Sequence, residues 1–274
     1  MKSYWNQKVV LVTGGSSGLG YELATAFVRE GARVVVAALE PEMVEKTVEM
    51  LSDEGEKSGS GGSCMGFAVD VTQEKSVEQL VENIRITFGR LDALINVAGR
   101  TDRGKLASCS AEHFASVMEL NFIALVRVTQ KFLPMLLESR GHVVNIGSLA
   151  SMAASRWTGA YPASKHAVAA YSQQLRLELG AEGLKVLLVC PGPIHRETER
   201  LYPLEGLEDL PESARRPGAG VKVRKLRPEV LVKAILDAAK RGKRELILPW
   251  KARILFTICR ISPALGDWLI MKNT

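Results

Sequence analysis

The chain has 274 residues, of which 46% are hydrophobic and 24% are charged, and its formal net charge is +6. This length allows one large domain with a buried core and requires no second domain. The positive charge is concentrated between Arg196 and Arg227 and near the carboxyl terminus, where no DNA- or RNA-reading motif occurs. We therefore expect no nucleic-acid partner, and an anionic substrate, an anionic membrane or solubility explains the charge better.

The first predicted strand, Val9 to Val12, is short, apolar and β-branched, which is typical of a strand buried on both faces of a parallel sheet. A glycine-rich turn, Thr13 to Gly20, follows at once. Gly14, Gly18 and Gly20 accept positive φ and let a phosphate approach the backbone. Apolar residues recur with helical period after Gly18, so the first N–H groups of a helix would point at a dinucleotide pyrophosphate.

The remaining chain alternates strands and helices, which predicts an α/β fold with a doubly wound sheet. Six further strands are predicted, at Arg33–Ala38, Met65–Val69, Leu91–Asn96, His142–Gly147, Lys185–Cys190 and Glu245–Leu248. Helices are predicted at Pro41–Asp53, Gln73–Phe88, Ala111–Glu138, Gly159–Ala181 and Pro228–Lys240.

Two stretches interrupt this alternation. The run from Ser58 to Ser63 contains only serine and glycine, which predicts a mobile surface loop. Residues 193–227 lose periodicity and carry prolines among many charges, which is typical of a functional or disordered segment. We expect residues 1–249 to form one domain that includes this segment, and residues 250–274 to form an apolar and basic extension.

The stretch from Leu246 to Met271 mixes apolar residues with Trp250, Trp268 and several basic residues. Charges interrupt it, so a membrane-spanning helix is not predicted. Two alternatives remain open. One is an amphipathic segment that lies at a membrane interface, and the other is a segment that packs against the domain or a second subunit.

The cysteines and the start of the chain carry less information. The four cysteines are widely separated and lack the spacing of metal ligands, so we predict no metal site. The first predicted strand begins within a few residues of the start, which leaves no room for a signal peptide. We therefore expect a cytoplasmic protein, with peripheral membrane contact through residues 250–274 as the open alternative.

Three polar residues have the chemistry of proton transfer. Ser148 follows the apolar run Val143 to Ile146, so it should lie at the carboxyl end of a strand, where open α/β sheets bind ligands. Tyr161 and Lys165 are four residues apart, which places them on one face of a helix. An adjacent ammonium favours the phenolate and lowers the phenol pKa from about 10 toward neutrality. With the glycine-rich turn, these residues predict a redox enzyme rather than a simple nucleotide binder.

These motifs resemble those of the classical short-chain dehydrogenase/reductase family over about residues 8–194, and more weakly to the end. The segment Asn-Val-Ala-Gly, from Asn96 to Gly99, is similar to the family's Asn-Asn-Ala-Gly, with Val97 in place of the second asparagine. Further matches are the adenine-contacting pair Asp70 and Val71, the helix asparagine Asn121, and the segment Pro191 to Ile194 that lies over the nicotinamide.

The resemblance implies a Rossmann-type, seven-stranded parallel sheet in a three-layer α/β/α fold, and it implies the roles of the site residues. Tyr161 exchanges a proton with the substrate oxygen while hydride moves to or from the nicotinamide, and Ser148 holds that oxygen. Lys165 binds the nicotinamide ribose and lowers the tyrosine pKa, and Asn121 holds a water in a proton relay that reaches Lys165. The implied reaction interconverts an alcohol and a ketone.

The implied cofactor is NADP or NAD. The residues expected to bind it are Gly14, Ser16, Ser17, Gly18, Leu19, Gly20, Ala38, Leu39, Asp70, Val71, Asn96, Ala98, Gly99, Tyr161, Lys165, Pro191, Gly192 and Ile194. An acidic residue at the end of the second strand would favour NAD and a basic one NADP, but this chain has Ala38, Leu39 and Glu40 there. The missing aspartate and the two serines of the turn favour NADP, whereas Glu40 could reach the adenosine ribose.

A second departure from the family follows Ile194. Relatives place a threonine two residues later, whereas this chain has His195 and Arg196, with Thr198 two positions further on. The contact to the nicotinamide carboxamide is therefore expected from the backbone or from Thr198. We interpret His195 as a solvated loop residue, with substrate contact as the alternative.

The resemblance also implies partners. The carboxyl-terminal extension resembles those of family members that act on steroids, sphingoid bases and related lipids, so a small or lipid-like hydrophobic alcohol or ketone is expected. The helices that bear Asn121 and Tyr161 form a subunit seam in relatives, which implies a homodimer or homotetramer. The alternative function is a catalytically silent nucleotide-sensing or membrane-associated interaction protein, but such a protein would have no chemical need for all four catalytic residues.

Overall fold

The computed structural model describes residues 3–195, 210–215 and 223–272. Its strands are β1 (Val9–Thr13), β2 (Arg33–Ala38), β3 (Ser63–Ala68), β4 (Ala93–Asn96), β5 (His142–Ile146), β6 (Lys185–Pro191) and β7 (Glu245–Leu248). They form one parallel sheet in the order β3-β2-β1-β4-β5-β6-β7. Because the chain crosses from β3 at one edge to β4 beside β1, a crevice opens at the carboxyl ends of β1 and β4.

The helices are α1 (Gly18–Arg29), α2 (Pro41–Ser58), α3 (Glu74–Phe88), α4 (Ala111–Met118), α5 (Ala124–Glu138), α6 (Tyr161–Leu179), α7 (Pro228–Lys240), α8 (Ala252–Ile261) and α9 (Pro263–Lys272). All seven predicted strands are confirmed, and their ends differ from the predicted ends by at most two residues. The predicted three-layer, doubly wound fold is therefore correct.

The core lies on both faces of the sheet because the central strands are apolar at consecutive positions. In β1, Val10 and Val12 pack on the side of α1 with Phe27, and Leu11 packs on the opposite side with Phe132 of α5. All of these side chains are fully buried. Each contributes roughly 1.5–3 kcal/mol relative to an exposed position, so the strands that carry the site are firmly held.

The loop formed by the serine and glycine run is shorter than predicted. Helix α2 continues to Ser58 and β3 begins at Ser63, so only residues 59–62 lie outside regular structure. The Ser60 hydroxyl donates to the Val28 carbonyl at 2.7 Å, and the Gly62 amide donates to the Ser60 hydroxyl at 3.1 Å. These hydrogen bonds fasten the segment to the end of α1, which does not fit the expected mobile loop.

The predicted helix Ala111–Glu138 is interrupted. A π-helical turn, Glu119–Ile123, separates α4 from α5. By length and composition alone this helical stretch could cross a membrane, and it is the one such stretch within the described chain. Its residues Val128, Phe132 and Leu136 are nevertheless buried against the sheet, as in the core helix of a globular domain.

The carboxyl-terminal extension forms two short helices, α8 and α9, joined at Ser262. A Cβ at Gly266 would lie 2.6 Å from the Cα of Cys259, so glycine lets the two helices approach each other closely. On the inner side of α8, Phe256 is buried and packs with residues of β6 and β7. The sequence prediction gave neither the two helices nor the break between them.

Candidate active site

A cleft of about 1090 Å³ lies at the carboxyl ends of the central strands. Its walls include most of the glycine-rich turn, Ser148, Tyr161, Lys165 and the segment from Pro191 to Ile194. The motifs that are far apart in the sequence are therefore brought to one place, as the doubly wound topology requires.

The glycine-rich turn is shaped by close backbone contacts. Gly14 has φ +64°, and a Cβ there would lie 3.0 Å from the Cα of Ala98. A Cβ on Gly20 would lie 2.0 Å from the carbonyl oxygen of Gly14. Ser17, the residue before α1, makes no side-chain cap, so the first N–H groups of the helix face the cleft without a side-chain acceptor from that residue. Such a helix start binds a phosphate well.

Two buried side chains support the turn from behind. Thr13 accepts hydrogen bonds through its hydroxyl from the backbone amides of Val97 at 3.1 Å and Ala98 at 3.3 Å. Asn96 is buried and donates from its amide to Asn145 and Thr129. Asn96 was predicted to bind the cofactor, but its side chain lies inside the sheet and is not among the cleft-lining residues. It joins β4 to β5 beneath the cleft.

Ser148 begins a single 3₁₀ turn, Leu149–Ser151. Its hydroxyl oxygen accepts from the Ala150 amide at 3.1 Å, while its own amide donates to the Ser151 hydroxyl at 3.1 Å. This capping box fixes the side chain at the edge of the cleft. The O–H of Ser148 has no acceptor within the described part of the chain, so it can donate to a bound oxygen.

Lys165 is buried in the cleft wall, with 6% of the residue exposed. Its Nζ donates to the carbonyl oxygen of Ile146 at 2.8 Å and lies 5.8 Å from the centre of the Tyr161 ring. Burial lowers the pKa of Lys165 from 10.5 to about 8. The structure therefore brings the predicted Tyr–Lys pair together at the base of the cleft.

Asn121 lies in the π-helical turn and is fully buried. Its Oδ1 accepts from the Arg100 amide at 2.8 Å, and its Nδ2 donates to the Arg100 carbonyl at 2.9 Å and to the Ser164 hydroxyl at 3.0 Å. The side chain thus ties the loop after β4 to α6. The Nδ2 group uses both of its hydrogens on protein acceptors, whereas Oδ1 keeps a second lone pair, so the water of the predicted relay stays an expectation.

The residues predicted to bind the adenosine end lie outside the cleft walls. Ala38 ends β2, as predicted, and Leu39 is 66% exposed. Asp70 accepts hydrogen bonds from the backbone amide and the hydroxyl of Thr72, which forms a local turn. Ser16, Ala38, Leu39, Asp70 and Val71 are absent from the described cleft lining. The structure leaves their predicted contacts to the cofactor as an expectation.

The segment after β6 is described only in part. Ile194 forms an isolated parallel bridge with Leu226, and the backbone amide of the exposed His195 donates to the Leu226 carbonyl at 2.8 Å. Most of the segment 193–227, which the family resemblance implies closes over the substrate, lies outside the described residues, and so does Thr198. Residues 210–215 are described, and Leu210 and Ala214 pack against Trp157 beside the cleft.

The described cleft lining is positively charged. It contains no acidic side chain, and its charged residues are Arg100, Arg103, Lys165, Arg224, Lys225 and Lys251. Cationic walls raise the local concentration of an anionic ligand and are consistent with a dinucleotide that carries two or three phosphates.

The apolar part of the cleft comes from the carboxyl-terminal helices and from the chain after Ser148. Leu255 and Phe256 of α8, Leu269 and Ile270 of α9, and Leu149 all line it. Residues 250–272 therefore contribute an apolar wall to the cleft. The sequence left open a membrane contact or packing against the domain or a second subunit; the packing of Phe256 on the sheet agrees with contact to the domain, whereas the position beside the cleft was not predicted.

Sequence reasoning also missed three supporting residues: Thr13, Ser164 and Asp102. Ser164 is fully buried and hydrogen bonds to Asn121, and Asp102 is buried in the loop after β4. Their partners are far away in the sequence, so no local spacing identifies them. Thr13 is part of the glycine-rich motif that the sequence analysis identified. Its hydroxyl, however, accepts hydrogen bonds from backbone amides directly after β4, a contact that the motif does not predict.

Comparison with known proteins identifies the family of the chain. The short chain dehydrogenase family model matches residues 8–203. The chain therefore belongs to the short-chain dehydrogenase family, whose members are oxidoreductases that use NAD(P), and the resemblance predicted from the sequence is confirmed.

The individual relatives share about a third of their aligned residues with this chain. The chain is 31% identical over 269 residues to the probable oxidoreductase EphD of Mycobacterium tuberculosis, covering 96% of this chain and 44% of that protein. It is 33% identical to dehydrogenase/reductase SDR family member 7B of Rattus norvegicus, covering 71% of this chain and 60% of that protein. The chain thus spans only about half the length of these curated relatives.

Solved structures share the fold over nearly the whole chain. A short-chain dehydrogenase from Streptomyces avermitilis has a TM-score of 0.77 and 26% identity, covering 97% of this chain and 98% of that one. A short-chain type dehydrogenase/reductase from Mycobacterium ulcerans has a TM-score of 0.75 and 25% identity, covering 88% of each chain.

Proposed function

We propose that this protein is an NAD(P)-dependent oxidoreductase that interconverts an alcohol and a ketone on a hydrophobic substrate. The observation that carries the proposal is the buried Lys165 amine beside the Tyr161 ring, at the base of a cleft that also contains the glycine-rich turn. A protein that only binds a nucleotide has no use for a buried amine next to a phenol.

The residues present fit a nicotinamide dinucleotide. Gly14 and Gly20 let the turn pack closely against Ala98 and against itself, because a Cβ at either position would meet backbone atoms, and the start of α1 supplies N–H groups for a pyrophosphate. Ala98, Gly99, Pro191, Gly192 and Ile194 line the same cleft on its other side. When bound, the cofactor supplies or accepts the hydride.

The chain itself contributes positioning and proton transfer. The Ser148 O–H donates a hydrogen bond to the substrate oxygen and holds it near Tyr161. The Tyr161 hydroxyl gives a proton to that oxygen during reduction and removes it during oxidation. The Lys165 ammonium favours the phenolate form of Tyr161. Asn121 ties the loop after β4 to α6, and a proton relay to Lys165 would pass through this region.

We infer a preference for NADP over NAD. No carboxylate stands at Ala38, where it would repel a 2′-phosphate, and the adjacent Leu39 is exposed. Ser16 is half-buried and Ser17 is exposed in the neighbouring turn, so both are available as phosphate donors. Glu40 precedes α2 and is the residue that could favour NAD instead.

The substrate class follows from the wall of the cleft. Leu255, Phe256, Leu269 and Ile270 present apolar side chains to the space beyond the catalytic residues. An alkyl or ring system loses its contact with water there, at about 25 cal/mol per Å² of apolar surface. This supports a small or lipid-like hydrophobic alcohol or ketone.

We also propose that the outer face of α8 and α9 contacts anionic membranes. Ile254, Ile261, Leu265, Trp268 and Met271 are large apolar residues that are 46–79% exposed within one short stretch. Arg253, Arg260 and Lys272 lie among them, with Asp267 as the one acidic residue of this stretch. Apolar side chains mixed with cations are typical of an interfacial helix. This surface supports a cytoplasmic protein that binds a membrane peripherally.

The oligomeric state is a separate point, and a homodimer or homotetramer stays an expectation from the family resemblance.

The test is a turnover assay of the wild-type protein with NADPH and NADH. Ketones of one series with increasing alkyl length are supplied, and the loss of absorbance of the reduced cofactor is followed. We expect turnover to be faster with NADPH and KM to fall as the alkyl chain lengthens. Tight cofactor binding without turnover of any substrate would instead support the silent nucleotide-sensing alternative.

A further inference from the structure

One buried carboxylate near the cleft is not used by the chemistry above. Asp102 lies in the loop that follows β4 and is 8% exposed. Its Oδ2 accepts a hydrogen bond from the backbone amide of Ala160 at 2.8 Å. Its Oδ1 accepts one from the Arg103 amide at 2.9 Å and lies 3.0 Å from Nε2 of His113. Charge-assisted hydrogen bonds of this kind fix both partners strongly.

The partner on α6 explains why the carboxylate matters. Ala160 is the residue before the helix and has no side-chain oxygen, so it cannot cap its own helix. Asp102 supplies an acceptor for this helix start from a loop 58 residues away in the sequence. Tyr161 is the first residue of α6, directly after the amide that Asp102 binds.

The residue before Ala160 supports the same assignment. Gly159 has φ +49°, and a Cβ there would lie 2.2 Å from Oδ2 of Asp102. A glycine is therefore required both by the backbone conformation and by the approach of the carboxylate. Two consecutive residues, Gly159 and Ala160, are therefore adapted to the position of the Asp102 carboxylate.

The loop after β4 also contacts residues 210–215 and Trp157, which lie beside the cleft. Arg103 donates from Nε to the carbonyl oxygen of Ala214 at 3.0 Å, and the amide of Gly104 donates to the Trp157 carbonyl at 3.2 Å. Leu210 and Ala214 pack on Trp157. The loop after β4, the approach to α6 and residues 210–215 are thus joined at one point.

We propose that Asp102 is a positioning residue that holds the first turn of α6, and with it the hydroxyl of Tyr161, where the substrate oxygen binds. The inference rests on the proposed function, because the position of Tyr161 matters only if it transfers the proton. A displacement of about 1 Å at a reacting group can lower the rate by about 100-fold. Without the carboxylate, the start of α6 loses its acceptor and its fixed position.

The first test is Asp102→Asn. The amide of asparagine has one acceptor oxygen, so either Ala160 or Arg103 is left facing an N–H group. We expect kcat to fall by about 10- to 100-fold, KM for the ketone to change by less than about threefold, and the dissociation constant of NADP to stay within about twofold. Amide hydrogen exchange at Ala160 should become faster in Asp102→Ala, which removes both acceptor oxygens.

The matched control is Asp92→Asn. Asp92 is likewise a buried carboxylate, 2% exposed, and accepts a backbone amide, that of Val9, at 2.9 Å. It lies at the amino ends of the strands, away from the cleft. We expect Asp92→Asn to lower Tm at least as much as Asp102→Asn while kcat stays within about twofold of the wild type.

The second test couples Asp102 to Gly159. Gly159→Ala pushes the carboxylate away, so it should lower kcat in the wild-type background by about tenfold or more. In an Asp102→Ala background, where no carboxylate is present, adding Gly159→Ala should lower kcat by less than about threefold further. Additive losses would mean that the two residues act separately.

The outcomes distinguish this inference from the proposed function. A wild-type protein that turns over no alcohol or ketone contradicts the proposed function and removes the basis of the inference. An active wild type whose Asp102→Asn variant keeps its kcat, while losing stability like Asp92→Asn, contradicts the inference alone. Asp102 would then be only a structural link between two loops.

Discussion

At the residue scale, the proposed chemistry depends on a buried cation beside a half-buried phenol. Burial lowers the pKa of Lys165 to about 8, so its ammonium form still predominates at neutral pH. The Ile146 carbonyl accepts a hydrogen bond from its Nζ at 2.8 Å. In the proposed function, this charge stabilises the phenolate form of the nearby Tyr161.

Tyr161→Phe should abolish turnover and nearly preserve cofactor affinity. The ring still packs, but the proton that is transferred to the substrate oxygen is gone. We expect kcat to fall by more than about 10³-fold, at the upper end of losses for general acid–base groups, because the hydroxyl also orients the substrate. Steady-state kinetics and a fluorescence titration with NADPH measure the two quantities. Activity within a few-fold of the wild type would exclude Tyr161 as the proton donor.

Leu39→Arg should raise the ratio of kcat/KM for NADP over that for NAD. Leu39 is 66% exposed at the end of β2, so a guanidinium there stays in water and can pair with a 2′-phosphate. Ala38→Asp should lower the ratio because its carboxylate repels that phosphate. Ile86→Arg, at another exposed apolar position on α3, controls for the added charge. An unchanged ratio in Leu39→Arg would remove the support for the NADP preference.

Local motifs and tertiary partners differ in how far the sequence predicts them. Ser148, Tyr161 and Lys165 follow from an apolar run and a four-residue spacing, and the structure brings them into one cleft. Asp102 acts through Ala160, which is 58 residues away, so only the folded chain shows the pair. Asn96 was predicted from a local match alone, and only the folded chain shows that its buried side chain donates to Asn145 and Thr129; its contact to the cofactor stays a prediction.

At the element scale, periodicity predicted the existence of the strands and long helices better than their interruptions. The π-helical turn Glu119–Ile123 has no distinct sequence period, because its residues keep the apolar spacing of the flanking helices. Helix α2 extends to Ser58 because Gly59, at φ +60°, ends it later than the composition suggested. In the extension, the apolar residues of α8 follow a helical period, whereas those of α9 are spread around the helix, so one period does not describe the whole stretch.

The outer face of α8 and α9 can be tested without disturbing the wall of the cleft. Ile261 and Trp268 are 79% and 51% exposed, so replacing both by serine removes apolar surface with little loss of packing. We expect the double variant to bind vesicles containing anionic lipid at least about tenfold more weakly, with an unchanged Tm. Binding of the wild type should weaken with salt, because each basic residue contributes about 1 kcal/mol near an anionic surface. Sedimentation with neutral and anionic vesicles measures both effects.

The control for this surface is a pair of exposed apolar residues elsewhere. Ile86 and Met50 are 73% and 41% exposed on α3 and α2, and replacing both by serine should leave vesicle binding unchanged. Deleting the residues after Trp250 is a second comparison, since it also removes Leu255 and Phe256 from the cleft wall and should raise KM for long ketones. A wild type that sediments with neither vesicle would leave α8 and α9 as packing elements only.

At the scale of the whole molecule, the two ends of the sheet have different tasks. The carboxyl ends of the strands carry the cleft, and the amino ends carry a buried polar cluster that stabilises the fold. There, His142 begins β5, is 2% exposed, and has its Nε2 2.8 Å from the hydroxyl of Tyr4. Trp5 packs against the same imidazole with ring centres 5.2 Å apart. The separation means that this cluster can be altered without touching the site.

The cluster predicts how stability depends on pH. Burial, followed by the charges of Lys185 and Lys8, lowers the pKa of His142 from 6.5 to about 4. Between pH 6.5 and 4 the unfolded chain therefore binds a proton that the folded chain does not, so the free energy of unfolding falls as the pH falls through this window. The full effect is on the order of 3 kcal/mol and is absent above about pH 7. Urea unfolding at pH 7 and pH 5 measures it, and His142→Gln should remove most of the difference. The control is His195→Gln, at an exposed position away from the cluster. An unchanged pH dependence of the free energy of unfolding in His142→Gln would show that other groups cause the acid sensitivity.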